Sequence, residues 1–179
     1  MKTIRPVFFL ILLAATLAAL PGGLAAQGDF TAVTSKAFDS AMPKDFYLEG
    51  NAIPTEKRNA ALVKTPAGAR VLFALIDTTG YSSEIKKKYI GMIIAEGGVS
   101  VCGAALGVGS YGFGLDKPAP SSNDDAHFNI YNQAGEKVGD CASKKDSALK
   151  LPRPLQVVLT QGSPARLYLG RYSLELGAH

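Results

Sequence analysis

His127 is the residue whose type points most directly to chemistry, because the other histidine is the C-terminal residue. A serine hydrolase uses an imidazole as a base between a nucleophilic serine and an acid that orients the ring. Ser110 lies in Val108-Gly109-Ser110-Tyr111-Gly112, which is close to the G-x-S-x-G elbow, but valine occupies the place of the first glycine. We assign no catalytic residue and keep a small exported hydrolase that uses His127 as an alternative. The acids considered as partners of His127 are Asp77, Asp124 and Asp125.

The densest polar cluster of the sequence is Asn123, Asp124, Asp125 and His127. Oxygen ligands suit Ca²⁺ and an imidazole suits a transition metal. The spacing differs from an EF-hand loop, and acidic turns are usually only hydrated. A metal site at Asp124, Asp125 and His127 is therefore a secondary hypothesis. We predict no cofactor.

The segment Gly107–Gly112 matches the dinucleotide-binding pattern G-x-G-x-x-G by letter. That pattern binds a pyrophosphate only where a helix begins directly after it. The residues that follow, Phe113-Gly114-Leu115-Asp116-Lys117-Pro118, cannot start a helix of useful length. We predict that these glycines let a strand bend or let another group pack closely.

Carbohydrate binding commonly uses exposed aromatic rings, and this chain has seven Tyr and no Trp. We take four tyrosines as candidates for a ligand-binding row: Tyr47, Tyr111, Tyr131 and Tyr168. Glycoside hydrolysis would also need two carboxylates that face one cleft. The conceivable members are Glu49, Asp77 and Glu96, and the sequence brings no two of them together.

Residues 1–26 have the pattern of a cleaved secretory signal peptide. Lys2 and Arg5 precede an apolar run from Val7 to Leu20, and Gly23-Leu24-Ala25 offers small residues for cleavage after Ala25 or Ala26. The run is shorter than the roughly 20 residues that cross a bilayer, so we expect no membrane span after cleavage. The mature protein is predicted to be secreted, or periplasmic in a bacterium.

The two cysteines, Cys102 and Cys141, are predicted to form a disulfide, because export places them in an oxidising compartment. The alternative is two buried free thiols that pack as small apolar groups. A redox role is not expected, because no Cys-x-x-Cys pair is present.

The fold is predicted to be all-β, an antiparallel β-sandwich or small barrel over residues 46–179, after a polar lead-in over 27–45. Short apolar runs separated by Gly, Pro and Asn give about nine or ten strands. Val71–Ile76 is apolar on both faces, which predicts a central strand buried on both sides. One short helix is expected near Ser83, with Ser82 or Ser83 as its cap.

The segment Val99–Gly112 resembles a turn-rich signature of uncharacterised exported bacterial β-sandwich domains. In those domains a strand, a glycine turn and a small-Gly-Ser/Thr-Tyr step form a hairpin. The resemblance covers about 14 residues, implies export and a β-sandwich, and carries no catalytic role.

We predict no catalysis, because none of the candidate motifs, a nucleophile elbow, a metal-ligand spacing or a phosphate loop, is convincing in this sequence. Without Lys2 and Arg5, 17 basic residues face 15 acidic residues, and this overall balance does not indicate a charge-driven nucleic-acid or membrane partner. We expect an exported, non-catalytic protein that acts through binding a protein or small molecule, or as an envelope component. A barrel that carries an apolar ligand is a further alternative, and it requires an unfilled interior.

Overall fold

The computed structural model describes residues 29–119, 121–122 and 124–179. The predicted signal peptide and Asn123 lie outside the described residues. Within them the chain forms thirteen strands and two short helices, and every strand pairing is antiparallel. This confirms the prediction of an antiparallel all-β fold.

The elements follow one another in short succession along the chain. The strands are β1 (Thr31–Val33), β2 (Asp45–Leu48), β3 (Asn51–Lys64), β4 (Arg70–Ile76), β5 (Gly91–Ala95), β6 (Val99–Val101), β7 (Ala104–Leu106), β8 (Gly109–Asp116), β9 (Ala126–Tyr131), β10 (Lys137–Lys145), β11 (Gln156–Val158), β12 (Ala165–Leu169) and β13 (Tyr172–Ala178). The helices are α1 (Ser35–Ala41) and α2 (Ser83–Lys88). Neither helix of the described part of the chain is long and apolar enough to cross a bilayer.

The strands form one curled sheet in the order β1-β3-β4-β5-β8-β9-β10-β13-β12-β11, which makes a half-barrel. β2 pairs with the first part of β3, and the β6–β7 hairpin pairs with the end of β13. β10 is the fold line of the sheet, because it pairs with β9 along most of its length and with β13 only at Lys144 and Lys145. The strands on either side of β10 enclose the main core.

β4 is buried on both faces, as its sequence predicted. Val71 and Phe73 belong to the main core inside the curl, whereas Leu72, Ala74 and Ile76 belong to a second core on the outer face. Strand side chains alternate between faces, so an unbroken apolar run requires cover on both sides. The cover on the outer face comes from β2 and the two helices.

The main core fills the inside of the curl, and the second core lies under α1 and α2. The main core is built from Phe30, Val63, Val71, Phe73, Ile93, Ala95, Val99, Val101, Leu106, Phe113, Phe128, Ile130, Leu155, Ala165, Leu167, Leu169, Leu174 and Leu176. The second core is built from Phe46, Leu48, Ile53, Leu62, Leu72, Ala74, Ile76, Ile85, Tyr89 and Met92. Ser82 caps α2 by accepting a hydrogen bond from the amide of Ile85, which confirms the predicted helix start.

The structure has more strands than the predicted nine or ten, because several have only three residues and carry too little sequence pattern to be recognised. Residues 46–52 span parts of two strands, β2 and β3, which are joined by a two-residue turn. Glu49 and Gly50 both have positive φ, 47° and 77°, which is the conformation of a tight hairpin turn. The lead-in also contributes to the fold, since β1 pairs with the end of β3 and α1 follows it.

A disulfide joins Cys102 to Cys141, as predicted. Cys102 and Gly103 form the turn of the β6–β7 hairpin, both with positive φ, and Cys141 lies in β10. The bond therefore ties a hairpin that pairs only with the end of β13 to a strand at the fold line of the sheet.

Reduction of this disulfide is expected to destabilise the protein by about 4 kcal/mol, because the bond closes a loop with a sequence separation of 39. Thermal unfolding with and without reductant measures the effect. The double variant Cys102→Ala, Cys141→Ala should match the reduced protein and should not respond to reductant. An unchanged melting temperature after complete reduction would contradict the prediction.

Candidate functional site

His127 pairs with Asp140 on the neighbouring strand. The Nε2 atom of His127 lies 2.8 Å from Oδ2 of Asp140, and the Lys137 ammonium donates to the same oxygen at 2.8 Å. These hydrogen bonds, first from Lys137 and then from His127, hold the pKa of the Asp140 carboxyl below its usual value. The three acids named from the sequence instead form hydrogen bonds with other residues of the described structure. The actual partner follows from the pairing of β9 with β10.

This pair does not form a catalytic triad with Ser110. His127 lies opposite Asp116 in the β8–β9 pairing, and Ser110 lies six residues earlier on β8. At 3.3 Å per strand residue that separation is about 20 Å. About half of the side chain of His127 is exposed, so the imidazole lies on an open strand surface.

The structure does not unite the three residues of the hypothetical metal site. The Asp124 carboxylate accepts a hydrogen bond from Ser122, and the Asp125 carboxylate accepts one from the backbone amide of Lys145. His127 instead forms its hydrogen bond with Asp140. Across residues 29–119, 121–122 and 124–179, no group of three His, Cys, Asp or Glu side chains has the arrangement to hold a metal ion.

The four candidate tyrosines do not form an exposed row. Tyr47 is 61% exposed, whereas Tyr168 is buried and donates a hydrogen bond to Asp146. Tyr111 packs against the main core and Tyr131 against the second core. Their rings are therefore distributed over different surfaces of the sheet.

Gly112, at the end of the glycine-rich segment, is a close-packing position, as predicted, whereas a Cβ atom at Gly107 would meet nothing within 4 Å. β8 begins at Gly109 and continues as a strand, so the helix that a dinucleotide site needs does not follow. A Cβ atom at Gly112 would lie 2.8 Å from the ring of Tyr89, and one at Gly114 would lie 2.2 Å from the carbonyl oxygen of Lys88. The missing side chains allow the end of α2 to lie directly on β8.

The residues Glu49, Lys88, Tyr89 and Tyr131 form a cluster that we name the Glu49 clasp. One oxygen of Glu49, Oε1, accepts hydrogen bonds from the Lys88 ammonium at 2.5 Å and from the Tyr89 hydroxyl at 2.6 Å. The Lys88 ammonium also lies 4.9 Å from the centre of the Tyr131 ring. Tyr89 and Tyr131 make an edge-to-face contact with their centres 5.3 Å apart.

The clasp joins three separate segments of the chain, the β2–β3 turn, the end of α2 and the β9–β10 turn. Glu49 lies at the tip of the β2–β3 hairpin, and its amide donates to the carbonyl of Gln133 in the β9–β10 turn. The Lys88 ammonium also donates to the carbonyl of Gly135 in that turn. The Glu49 carboxylate and its two side-chain donors thus satisfy one another and hold these segments together, which is a structural role.

The hydrogen bonds from Lys88 and Tyr89 hold the pKa of Glu49 below its usual value. Burial, and next the bond to Glu49, raise the pKa of Tyr89. The other two carboxylates considered for glycoside hydrolysis are elsewhere. Glu96 pairs with Arg70, and Asp77 accepts a hydrogen bond from the amide of Thr79.

A shallow apolar groove lies where the two ends of the sheet approach each other, and we name it the seam groove. Its volume is about 410 Å³. The strands at the two ends of the sheet order, β1 and β11, both contribute to it, together with α1 and β3. Its lining residues are Ala32, Val33, Thr34, Ser35, Phe38, Ala60, Ala61, Leu62, Val63, Val157 and Leu159.

The seam groove contrasts with the interior of the curl, which the main core fills. The alternative raised by the sequence, a barrel that carries an apolar ligand, requires an unfilled interior and stays a prediction. The groove could not be predicted from the sequence, because its walls come from three segments far apart in the chain.

Comparisons with protein-family models, with curated proteins and with solved structures find no match for this chain.

Replacement of Glu49 by glutamine is expected to lower the free energy of unfolding by about 1 kcal/mol at neutral pH, since the partly exposed ion pair is lost. A carboxyl with a lowered folded-state pKa contributes its stability above the unfolded value and loses it as the pH falls through the folded value. The difference between the wild type and Glu49→Gln should therefore shrink below about pH 4.

Urea unfolding at several pH values measures this difference. Asp39→Asn is the matched control, because Asp39 forms a well-exposed ion pair with Lys57 and should leave the midpoint unchanged. A Glu49→Gln effect that stays constant down to strongly acidic pH would argue against the clasp as the cause.

Proposed function

We propose that this protein is an exported, non-catalytic binding module that holds a small apolar ligand, such as an acyl chain, in the seam groove. The observation that carries the proposal is the groove itself. Nine of its eleven lining residues are apolar, and about 410 Å³ falls within the usual range for small-molecule sites.

The exposure of the groove side chains supports this proposal. Val33, Phe38, Val157 and Leu159 are only partly buried, although each packs against one of the two cores. A ligand seated in the groove would remove their remaining apolar surface from water, which contributes roughly 25 cal/mol for each Å². The groove is thus a site where apolar binding has a physical driving force.

One end of the groove is polar, which favours an amphiphilic ligand. Thr34 and Ser35 are the two polar residues of the lining, and the Thr34 side chain makes no capping hydrogen bond at the start of α1. Ser35 has a φ of 58°, a conformation that costs a residue with a side chain of order 1 kcal/mol and that is frequent at ligand sites. An acyl chain would lie along Val157 and Leu159, with its polar end near these hydroxyls.

Export is supported by the signal-peptide pattern of residues 1–26, by the disulfide and by the resemblance of Val99–Gly112 to exported domains. The compartment is the periplasm or the outside of the cell. Mass spectrometry of the protein expressed with its leader tests this, and we expect a chain that begins at Ala26 or Gln27. A leader retained in full would contradict export with cleavage.

The geometry around His127 favours binding over hydrolysis. Asp140 engages the imidazole at one nitrogen, while Ser110, the serine of the elbow-like segment, is about 20 Å away along the sheet. The His127 pair also carries Lys137 on the same carboxylate oxygen, which occupies it as a surface ion pair.

Thermal unfolding in the presence of dodecanoate tests the ligand site. We expect a melting temperature that rises with dodecanoate concentration, because a ligand of the folded state stabilises it by mass action. Leu159→Glu should abolish the rise by placing a carboxylate in the groove. Val138→Glu is the matched control, because Val138 is an exposed valine on β10, outside the groove, and should retain the rise.

Because Leu159 also packs on the main core, a second variant guards against loss of folding. Thr34→Trp adds a large ring at an exposed position of the groove rim, so it should fold and still block dodecanoate. The absence of any rise with acyl chains of different lengths would refute the proposed ligand class. A rise that survives in Thr34→Trp and Leu159→Glu would place the ligand elsewhere.

A further inference from the structure

The loop before β11 exposes an apolar side chain at a fixed position. Lys150, Leu151, Pro152, Arg153 and Pro154 are all exposed, and Leu151 is 81% exposed. Leu151 is the most exposed of the four large apolar side chains that reach the surface of the described structure. We name residues 150–154 the basic loop.

Both ends of the basic loop are tied to the turn between β12 and β13. The guanidinium of Arg171 donates to the carbonyl of Leu149 at 2.7 Å, and the amide of Gly170 donates to the carbonyl of Arg153 at 3.0 Å. Directly after the loop, Leu155 is buried in the main core.

The covalent structure stiffens the loop further, because each proline ring fixes its own φ and restricts the residue before it. Pro152 follows Leu151, and Pro154 follows Arg153. Leu151 is thus held outward by a braced segment.

The sequence on either side of Leu151 is rich in positive charge. Between residues 143 and 155 there are four basic residues and one acidic residue, and Arg171 adds a fifth positive charge beside them. The surplus over the whole chain after the predicted leader is only two. Lys144, Lys150 and Arg153 are exposed, so their charges are available to a partner.

The acidic groups of this region are engaged. Asp146 accepts hydrogen bonds from the Tyr168 hydroxyl and from the amides of Ala148 and Leu149. Asp125 accepts from the amide of Lys145, and the Lys145 ammonium donates to the carbonyl of Ser122. Lys145 is therefore not counted among the charges that face a partner.

We infer that the basic loop is a peripheral docking site for an anionic lipid surface, with Leu151 inserted among the lipids and Lys144, Lys150 and Arg153 facing their headgroups. An exposed apolar side chain flanked by cations matches the boundary between headgroups and acyl chains. A soluble polyanion would pair with the same cations but offers no apolar environment in which Leu151 could be buried. The inference does not depend on the seam groove, which α1, β1, β3 and β11 line.

Vesicle co-sedimentation tests this inference with the protein expressed with its leader and purified after processing by the host. Vesicles of phosphatidylcholine with phosphatidylglycerol should bind the wild-type protein, and vesicles of phosphatidylcholine alone should not. Binding should weaken as salt is added, because the attraction is screened. Failure of the wild type to bind anionic vesicles at low salt would overturn the inference.

Variants distinguish the loop from general charge. The double variant Lys150→Glu, Arg153→Glu should weaken binding by about fivefold or more for each residue, since each lysine or arginine contributes near the surface. Lys86→Glu, Lys87→Glu makes the same change of charge at exposed positions of α2 and should bind nearly as the wild type. Equal losses in the two double variants would show a response to net charge only and would overturn the docking site.

The leucine has its own pair of variants. Leu151→Ser should weaken binding about tenfold, because the substitution removes the exposed apolar side chain that would be buried among the lipids. Val108→Ser alters another strongly exposed side chain, on the loop before β8, and should leave binding unchanged. These positions are exposed, so the melting temperatures of all variants should stay close to that of the wild type.

A tryptophan reporter measures insertion directly, because the chain contains no Trp. Leu151→Trp should shift its fluorescence to the blue on anionic vesicles, and Val108→Trp should not shift. The inference would be overturned if Leu151→Trp showed no blue shift on vesicles and the protein bound heparin equally well with and without Leu151→Ser. That result would indicate a soluble polyanion as the partner.

Discussion

The burial of β4 and β5 on both faces is the constraint on which the rest of the fold depends. Their side chains enter the main core on one face and the second core on the other. The inner face is buried because the sheet curls at β10. The outer face is buried because α1, α2 and β2 lie on it. Gly112 and Gly114 let the end of α2 approach β8 closely, and the Glu49 clasp binds the same end of α2.

Features with a local cause were predictable from the sequence. The run Val71–Ile76 has no polar face, so it had to be central. Ser82 precedes a short helical segment and accepts from the amide three residues later, as a cap does. Gly112 was expected to allow close packing, because no helix could follow it. Each of these properties depends on neighbouring residues only.

Features that depend on register between distant segments were not predictable. His127 meets Asp140 because β10 pairs with β9 through an irregularity near Gly139, and no spacing rule gives that partner. The seam groove combines residues near positions 33, 61 and 158, which meet only after the whole sheet has curled. Three-residue strands such as β1 and β11 owe their conformation to their neighbours, since so short a run has no period to read.

The position of β13 has a consequence for the order of events when the protein is made. One edge of β13 pairs with β12, and the other pairs with both β10 and β6. In synthesis from the N-terminus, β6, β10 and β12 are all made before β13. Each of them therefore has an unpaired edge until β13 is present. The Cys102–Cys141 bond links the turn that follows β6 to β10 and so joins the two partners on one side of β13. Until β13 is in place, these unpaired edges can pair with strands of other chains, which is a physical route to aggregation.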